Sequence, residues 1–351
     1  MLSKLRLSNF RCFEKIDCNL DEMTTIFIGD NAQGKTTILE SICLLMRLQS
    51  PRTSKIVDQI KLGATNLSVE GNFSGKKIFY AFSGNKKRMQ VDGQKFSKRK
   101  DYLHETALVV WIGNDDILLL RGGSDLRRRY LDFGASQMNL AYLSALKAYK
   151  RALRARNFLL KRDSIPNWNQ IKPYTKLLIE NGSVIAEQRA LLVEQLNRHA
   201  NEFQYIISGE DEKLEIVYQR SGDCNLSESF EEIRDEETKQ RSTLVGPHRD
   251  DILLKINGLD ASKFASEGQQ RSIVLSLKMA QFSVLKKIKN KNPILLIDDI
   301  FGELDSSRRI KFLSLLPKES QKFITTTNLD WLPNCQFQTY KKFIIEAGKI
   351  N

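Results

Sequence analysis

The segment GDNAQGKT, Gly29–Thr36, combines residue types and a spacing that suit phosphate chemistry. It fits the pattern G-x-x-x-x-G-K-[ST], and it lies between an apolar stretch, TTIFIG, and a helical pattern that runs from about Lys35 to Leu48. In that context, loop amides and the helix N-terminus offer N–H donors to phosphate oxygens, the lysine brings a positive charge to the β- and γ-phosphates, and the threonine hydroxyl binds Mg²⁺. The segment therefore predicts a nucleoside triphosphate site that comprises Gly29, Asp30, Asn31, Ala32, Gln33, Gly34, Lys35, Thr36 and Thr37.

Two adjacent carboxylates follow another apolar stretch, in PILLIDDIFGELD. A phosphate-binding loop requires an acid at the end of a neighbouring strand to hold the metal, and Asp298 is the candidate for that role beside Thr36. Asp299 is the candidate for polarising the attacking water. Adjacent carboxylates repel each other unless a cation is near, which favours this interpretation over that of a buried strand leading into an ordinary loop.

The turn ASEGQQRS, residues 265–272, permits two interpretations. Ser266 and Gln269 fit the S-x-x-Q capping box, in which both side chains bond backbone amides of the first helical turn, so the segment predicts a helix start. Gly268 at a helix N-terminus also lets backbone N–H groups approach an anion, which suits contact with a phosphate. The turn alone favours the capping interpretation, and both remain open at this point.

The overall charge points to a polyanionic partner. The 351 residues include 55 Lys and Arg against 42 Asp and Glu, which gives a net charge of +13. Five cysteines without a C-x-x-C pair and only three histidines argue against a structural zinc site. The N-terminus lacks the apolar core of a signal peptide, and no run reaches the roughly 18 apolar residues of a membrane span, so we expect a cytoplasmic protein without a membrane partner.

Basic residues recur on one predicted helical face, which comprises Lys147, Lys150, Arg151 and Arg154, with Lys161 beyond them. A second basic group comprises Lys76, Lys77, Lys86, Lys87, Arg88, Lys98, Arg99 and Lys100. Either group suits contact with the phosphates of nucleic acid, although runs of charge are also common on solvated faces. Because aromatic residues do not alternate with these charges, we expect contact with the backbone of a duplex or junction rather than stacking on single-strand bases.

The elements around these residues predict an α/β protein. Hairpin signals between Leu67 and Phe96 predict an antiparallel meander, and helical periodicity runs through about residues 139–162 and 174–207 and through an acidic stretch at 226–240. Pro166 and Pro173 are expected to bracket the connection between the two long helices. We expect residues 1–134 to carry the P-loop and the meander, 135–240 to form an inserted helical lobe, and 241–351 to carry the S-x-x-Q turn and the paired acids.

Together, the P-loop, the paired acids and the S-x-G-Q turn resemble the ATP-binding cassette (ABC) class of ATPase heads. Six blocks narrow the resemblance to the RecF family of bacterial recombination ATPases, within the SMC/Rad50 superfamily: LRLSNFRCF, SDLRRRYLDFG, YKRALRARNFLLK, GPHRDD, ASEGQQRS and LLIDDIFGELD. The resemblance covers essentially the whole chain. It implies an α/β fold, a P-loop ABC-type ATPase head with an antiparallel β subdomain and an inserted α-helical lobe.

The resemblance also implies roles and partners. Ser266, Gly268 and Gln269 would be the signature residues that contact the γ-phosphate of an ATP held by another subunit, with Lys35 and Asp299 completing the catalytic set. Arg11 would lie beside the nucleotide, and residues 303–305 would face the partner subunit. ATP and Mg²⁺ would close a head-to-tail homodimer on DNA, and weak DNA-dependent hydrolysis would release it. The family further implies recombinase loading at gaps through the mediators RecR and RecO, and support of the SOS response.

The sequence departs from cassette ATPases in two places. The strand after the paired acids, FITTTNLD, contains no histidine, so Thr327 or Asn328 would hold the γ-phosphate or the water. The second acid is Asp299, where many relatives have the longer Glu, so we expect slow hydrolysis. Two alternatives share the motifs: a transporter ATPase subunit would require a membrane partner and the histidine, and a chromosome-tethering ATPase would require a coiled coil longer than an insertion of roughly 100 residues provides.

Overall fold

The computed structural model describes residues 1–209, 212–222, 225–334, 337, 339–346 and 348–350 of the chain. Cys224 and Cys335 lie outside these residues. The chain divides into two compact units. Unit 1 comprises Met1–Asp116, Ile206–Ser208 and Leu285–Asn351, and unit 2 comprises Ile117–Tyr205 and Gly209–Val284. The three-part division at residues 134 and 240 stays a prediction.

The strands are, in chain order, β1 (Leu2–Phe10), β2 (Phe13–Asn19), β3 (Thr24–Ile28), β4 (Asn66–Phe73), β5 (Lys76–Ser83), β6 (Lys86–Val91), β7 (Gln94–Phe96), β8 (Val109–Gly113), β9 (Leu214–Gln219), β10 (Asp251–Ile256), β11 (Leu259–Asp260), β12 (Ile294–Asp298), β13 (Lys322–Thr326), β14 (Lys341–Glu346) and β15 (Lys349–Ile350).

The α-helices are α1 (Lys35–Arg47), α2 (Arg99–His104), α3 (Leu118–Arg121), α4 (Ser124–Met138), α5 (Ala141–Arg162), α6 (Trp168–Ser208), α7 (Leu226–Glu232), α8 (Arg234–Gln240), α9 (Ala261–Phe264), α10 (Glu267–Lys289) and α11 (Ser306–Leu315). Within the described part of the chain, none of these helices is both long and apolar enough to cross a membrane.

The antiparallel sheet of unit 1 has the strand order β2-β1-β4-β5-β6-β7. Buried and more exposed side chains alternate along β4 and β5, as they do in a sheet that packs one face on a core. Tight turns with positive φ join neighbouring strands at Ser74 and Gly75, Gly84 and Asn85, and Asp92 and Gly93. Such residue pairs suit hairpin turns, and the predicted meander is confirmed.

The second sheet of unit 1 has the order β15-β14-β3-β13-β12-β8, in which all neighbours from β14 to β8 run parallel. Strands β3, β8, β12 and β13 are buried along almost their whole length, which explains the unbroken apolar runs in their sequences. The carboxyl ends of parallel strands meet at one edge of a sheet, where ligand-binding loops cluster. The loop GDNAQGKT and the paired acids both lie at this edge.

Helix α1 lies between the two sheets of unit 1. It contacts β1 and β4 of the antiparallel sheet and β12 and β13 of the parallel one. Every residue of the helix except Thr36 is buried, so apolar residues occur on all sides of the helix, and the few polar residues among them, such as Glu40, are buried too. Full burial of each Leu or Ile side chain contributes about 1.5–3 kcal/mol. The core of unit 1 therefore fixes the helix that begins at the P-loop.

Helix α6 in unit 2 begins earlier than the sequence predicts. The expected start lay after Pro173, whereas the helix begins at Trp168 with Asn167 as its cap. A proline inside a helix removes one backbone hydrogen bond. The fully buried side chain of Ile171 and the ring of Trp168, whose centroid lies 4.5 Å from the guanidinium carbon of Arg234, offset that cost.

The acidic stretch at 226–240 forms two helices, α7 and α8, and the prediction of a single helix was wrong. Ile233 separates them with φ of −91° and ψ of 5°. Acidic residues would face each other four residues apart across this break, at Glu231 with Asp235 and at Glu232 with Glu236. Like charges at that spacing destabilise a continuous helix, which accounts for the interruption.

A buried ion pair joins α5 to α8 within unit 2. The side chains of Arg156 and Glu237 are 1% and 0% exposed, and Nη2 of the arginine lies 2.5 Å from Oε2 of the glutamate. Nη1 of Arg156 also donates to Oγ1 of Thr243 at 2.8 Å, and the Phe230 ring centroid lies 4.9 Å from the guanidinium carbon. Every strong donor of this arginine is thus directed inward.

His248, in the block GPHRDD, is a largely buried neutral imidazole. Its Nε2 lies 3.1 Å from the backbone oxygen of Thr243 and therefore carries the proton, so Nδ1 accepts a hydrogen bond from the hydroxyl of Tyr149 at 2.7 Å. Burial, together with the smaller effect of the positive charges of Arg249 and Arg128, lowers the pKa of His248 to about 4.

We expect unit 2 to lose stability as the pH falls from 6.5 towards 4. The unfolded chain takes up a proton on His248 near pH 6.5, whereas the folded chain does so only near pH 4, so protonation favours unfolding in this window. The histidine should contribute a loss of about 2 kcal/mol between pH 7.5 and pH 5. Urea unfolding at both pH values, followed for the chain and for His248→Gln, measures this difference, and equal pH dependence in both proteins would contradict it.

Candidate functional site

The loop GDNAQGKT joins β3 to α1 and requires glycine near both of its ends. A Cβ atom at Gly29 would lie 2.3 Å from the backbone oxygen of Ile345 in β14. Gly34 has a φ of +105°, and a Cβ atom there would lie 2.7 Å from Sγ of Cys12. Any larger residue at either position would displace the backbone. The path of the loop, and with it the direction of its N–H groups, depends on these two glycines.

Lys35 begins α1, and only 5% of it is exposed. Its Nζ donates hydrogen bonds to the backbone oxygens of Gly29 at 2.6 Å and Asp30 at 2.9 Å. No carboxylate of the residues that the structure describes lies within 4.0 Å of this ammonium group. A buried cation that has only neutral oxygens as partners gains from a nearby anion, so the loop and Lys35 fit a phosphate group.

Asp298 ends β12, and two hydroxyl groups bond the same oxygen of its side chain. Oγ1 of Thr36 donates to Oδ1 at 2.8 Å, and Oγ1 of Thr325 donates to it at 2.7 Å. Thr325 pairs directly with Asp298 because β13 lies between β3 and β12. Burial raises the pKa of Asp298, and the neighbouring charge of Asp299 raises it too, whereas the hydroxyl bonds lower it. These hard oxygen ligands fit Mg²⁺, whose charge would favour the ionised carboxylate.

Asp299 lies in a left-handed backbone conformation with φ of 53°. Its N–H donates to the backbone oxygen of Thr325 at 3.2 Å, and its own backbone oxygen accepts a hydrogen bond from Nδ2 of Asn114 at 3.0 Å. Burial raises the pKa of its carboxyl group, an effect that Lys35 opposes and Glu303 reinforces. A raised pKa suits a carboxylate that takes a proton from water.

The turn after β13 contains the two residues expected to hold the γ-phosphate or the water in place of a histidine. Thr327 and Asn328 are exposed there, so both are accessible to a ligand. The backbone oxygen of Asn328 accepts hydrogen bonds from Oγ1 of Thr326 at 2.8 Å and from Nε1 of the buried Trp331 at 3.0 Å. Trp331 in turn stacks on Phe301, with 4.2 Å between ring centroids. The turn is therefore fixed by a buried aromatic pair.

Arg11 is held by an acid on the P-loop helix. Its Nε and Nη2 donate to the two carboxylate oxygens of Glu40 at 3.0 and 2.8 Å, and Glu40 is fully buried. Ser50 donates to the same carboxylate at 2.6 Å. Glu40 lies one helical turn after Thr36, so the bidentate pair fixes Arg11 beside the start of α1. The Arg11 side chain is therefore held by this pair and is not a freely solvated strand end.

Residues 303–305 connect β12 to α11. Asp305 caps α11, with Oδ1 accepting a hydrogen bond from the backbone N–H of Arg308 at 2.9 Å. Leu304 is buried, whereas Glu303 is exposed. The segment is thus a capped helix start in unit 1.

The predicted capping box at the start of α10 is confirmed. The backbone N–H of Ser266 donates to Oε1 of Gln269 at 2.8 Å, and the backbone N–H of Gln269 donates to Oγ of Ser266 at 3.3 Å. Glu267 extends towards Arg121 and Arg271, whose Nη2 atoms lie 3.6 and 3.4 Å from its Oε1. The signature-type residues thus belong to unit 2, whereas Lys35, Thr36, Asp298 and Asp299 come together in unit 1.

A buried acid holds the side chain of Gln269. Nε2 of Gln269 donates to Oε1 of Glu212 at 2.8 Å, and Nε2 of Gln204 donates to the other oxygen of that carboxylate at 2.6 Å. Oε1 of Gln204 accepts a hydrogen bond from Ser276 at 3.0 Å. Glu212 is 5% exposed. The turn is therefore anchored through its glutamine to the interior of unit 2.

The four basic residues predicted to bind DNA are all exposed on α5. Nζ of Lys150 lies 3.4 Å from Oδ2 of Asp132, whereas Lys147, Arg151 and Arg154 have no carboxylate within 4.0 Å among the described residues. The second basic group is partly engaged: Lys76 pairs with Glu105, Lys77 with Glu70, and Arg99 donates to the backbone oxygen of Arg47. The helical face is the freer of the two.

Residues 1–240 match the family model described as an AAA ATPase domain. The chain is 36% identical over 361 aligned positions to the DNA replication and repair protein RecF of Streptococcus suis (strain 05ZYH33), covering 99% of this chain and 98% of that protein. It is 32% identical over 369 positions to the RecF protein of Halalkalibacterium halodurans, again covering 99% and 98%. The chain belongs to the RecF family of DNA replication and repair proteins.

Solved structures support the RecF fold. A structure of the recombination mediator protein RecF with ATP in the RecFOR pathway matches with a TM-score of 0.88 and 30% identity, covering 100% of this chain and 96% of the other. An Smc head bound to the C-winged helix domain of ScpA matches with a TM-score of 0.57 at 15% identity, which shows a shared fold alone. The predicted fold class is confirmed: the chain has the fold of the RecF-type ATPases.

Two of the blocks that indicated the RecF family contact each other in unit 2. Arg127, in SDLRRRYLDFG, donates to both carboxylate oxygens of Asp251, in GPHRDD, at 2.6 and 2.8 Å. Nη1 of Arg128 donates to the backbone oxygen of Asp250 at 2.9 Å. These motif residues therefore join α4 to the start of β10, and their hydrogen bonds account for them without a ligand.

Sequence reasoning missed three residues that position the candidate RecF site: Glu40, Thr325 and Glu212. Glu40 could have been recognised from the sequence, because it is an acid within the mostly apolar run of α1 and a buried acid requires a partner. Thr325 is the first of three consecutive threonines, and the sequence pattern did not distinguish one from another. Glu212 bonds a residue far along the chain, and no local pattern marks it.

Proposed function

We propose that this chain is an ATP-dependent DNA clamp of recombinational repair: ATP closes two copies head to tail on DNA, and slow hydrolysis releases them. The observation that carries the proposal is that the P-loop and the S-x-G-Q turn lie in different compact units of one chain. It offers one P-loop, whose buried Lys35 has no acidic partner among the described residues, and one capped S-x-G-Q turn in the other compact unit. Two copies related by a two-fold axis supply two complete sites.

The P-loop residues would bind the triphosphate. Loop amides and the N-terminus of α1 would donate to phosphate oxygens, and Lys35 would exchange its backbone partners for the β- and γ-phosphates. Thr36 and Asp298, whose oxygens lie 2.8 Å apart, would hold Mg²⁺. The ion, when bound, neutralises charge that develops on the transferred phosphoryl group.

Asp299 would accept the proton of the attacking water. Its raised pKa supports that role, and the bond from Asn114 to its backbone fixes the residue in place. Thr327 and Asn328 would contact the γ-phosphate or the water where other ATPases have histidine. Neither side chain changes charge near neutral pH, and aspartate reaches less far than glutamate, so slow hydrolysis is the proposed consequence.

The γ-phosphate held by the second copy would be contacted by Ser266, Gly268 and Gln269. The serine hydroxyl and the N–H groups at the start of α10 suit an anion, and Glu212 would keep the Gln269 side chain in position. The ion pairs of Glu267 with Arg121 and Arg271 reduce the repulsion that its charge would otherwise offer to a phosphate.

DNA would be bound by the exposed basic face of α5, through Lys147, Lys150, Arg151 and Arg154. Contacts with phosphates would make this binding independent of sequence and sensitive to salt. The full-length RecF relatives and the RecFOR-pathway structure support RecO and RecR as mediators and the loading of recombinase at gaps, with support of the SOS response, as the wider role.

Light scattering with a non-hydrolysable ATP analogue tests the clamp. The unmodified chain should double its mass in the presence of analogue, more readily with duplex DNA, whereas Ser266→Arg should stay monomeric because its side chain fills the space of the γ-phosphate. The matched control is Ser227→Arg, an exposed serine in the first turn of α7 in the same unit, which should dimerise normally. The proposal would be contradicted if the unmodified chain stayed monomeric with the analogue, or if Ser266→Arg formed a dimer.

A further inference from the structure

Phe158 is an aromatic residue that α5 exposes to solvent. It is 64% exposed, although aromatic side chains ordinarily bury most of their surface. Ala155 precedes it by three residues, so no long side chain at that neighbouring helical position covers the ring. Among the described residues, no other ring and no cation stacks on Phe158. The ring is therefore available to a partner.

The ring lies within the basic face of α5. Lys147, Arg151, Arg154, Phe158 and Lys161 follow one another in alternating steps of four and three residues, which places them in one line on a helix with 3.6 residues per turn. All five are exposed. At about 1.5 Å per residue, the line is roughly 20 Å long, so it spans about six phosphates of one DNA strand.

The positive charge of this line of residues indicates which class of partner binds the Phe158 ring. Its four cations have no carboxylate within 4.0 Å among the residues that the structure describes. Phe158 is the only apolar side chain in the line, so the line lacks the repeated apolar contacts with which a helical groove takes an amphipathic peptide. One ring flanked by cations instead suits a nucleic acid, in which a base stacks on the ring while phosphates meet the flanking charges.

We propose that α5 binds DNA where a base is unstacked, with Phe158 stacking on that base and Arg154 and Lys161 contacting the phosphates on either side. The inference rests on the proposed function and deepens it, because it assigns to Phe158 a base-stacking role within the DNA-binding face. It also revises the expectation drawn from the lack of alternating aromatics: one exposed ring at the correct helical position provides a stacking surface.

Anisotropy titrations with a blunt duplex, and with the same duplex interrupted by a short single-strand gap, test this role. Phe158→Ala should weaken binding to gapped DNA by between about fivefold and a hundredfold, the range expected for one lost stacking contact, and leave the blunt duplex within about twofold. Phe158→Trp should restore binding to gapped DNA. Tyr205→Ala removes a similarly exposed aromatic of unit 2 and should change neither affinity.

Fluorescence of 2-aminopurine placed in the gap provides a second measurement, since stacking on the ring should quench it in the unmodified chain but not in Phe158→Ala. Equal losses on both DNAs, or no loss on either, would overturn the role of Phe158. The double variant Lys147→Glu with Arg154→Glu separates this failure from failure of the proposed function. If this variant binds both DNAs normally, the basic face itself is not the DNA site.

Discussion

A mixture of Lys35→Met and Ser266→Arg should hydrolyse ATP although neither variant does so alone. Lys35→Met removes the buried charge at the P-loop, and Ser266→Arg blocks the turn that, in the proposed clamp, meets the partner's nucleotide. In a head-to-tail pair of one copy of each, both defects fall in the same composite site. The other site combines the intact P-loop of one copy with the intact turn of the other.

The expected sizes follow from that geometry. Each variant alone should retain less than about 1% of the activity, because loss of one group that stabilises transition-state charge costs on the order of a hundredfold. Each mixed dimer has one working site out of two. Random pairing would make half of the dimers mixed and give about a quarter of the unmodified rate, and because Ser266→Arg does not pair with itself, the mixture should reach between about a quarter and a half of that rate. Steady-state phosphate release at equal total protein measures it.

The control for this experiment is a mixture of Lys35→Met with the double variant Lys35→Met, Ser266→Arg. No pairing of those two chains contains an intact P-loop, so the mixture should stay inactive. Activity in the control would indicate contamination. An inactive first mixture, formed from variants that still fold and bind nucleotide as expected, would mean that one chain does not complete the site of another.

Arg156→Met should destabilise unit 2 by about 3–5 kcal/mol, the usual cost of removing one partner of a buried ion pair. The change leaves Glu237, which is fully buried, without its cation, and it removes the donor to Thr243. We expect the melting temperature to fall by on the order of 10 °C, since each kcal/mol shifts a domain of this size by a few degrees. Differential scanning calorimetry gives the value.

Two further variants show whether burial causes the effect. Arg198 pairs with Glu194 on α6, where both side chains are 58% exposed, so Arg198→Met should cost less than about 0.5 kcal/mol. Combining Arg156→Met with Glu237→Gln should recover part of the loss, because the isolated charge is then gone. A small effect of Arg156→Met would mean that the pair contributes little to the fold.

Arg154 and Arg156, both on α5, illustrate what the sequence predicts and what it does not. Periodicity predicts helix α5, and it separates the exposed side from the apolar stripe. It places Arg154 on the exposed side and Arg156 on the apolar stripe, seven residues after Tyr149, but it does not show what pairs with a buried charge there, because the partner of Arg156 lies in another helix far along the chain. Burial of a charge is decided by such a partner, and the partner becomes visible only in the folded structure.

The candidate nucleotide site shows the same division. The P-loop and the paired acids follow from local patterns, because the strand, loop and helix that position each are contiguous in sequence. The parts that hold them in place are not local: Thr325 reaches Asp298 from the neighbouring strand, and Glu212 reaches Gln269 from another segment of unit 2. Pro173 and the repeated acids of 226–240 misled the prediction of helix ends, since packing outweighed the proline and repulsion divided the acidic segment.

The reciprocal cap at Ser266 and Gln269 has a consequence for an isolated subunit. The backbone N–H groups of Ser266 and Gln269 already have acceptors, supplied by the side chains of Gln269 and Ser266. A free phosphate in solution would have to displace these internal bonds with little gain. An anion that is held in place by a second protein surface is different, because the contacts between the two surfaces compensate for the loss of these internal hydrogen bonds. In the proposed clamp, the cap would therefore hold the turn in shape without a bound phosphate until a second copy arrives.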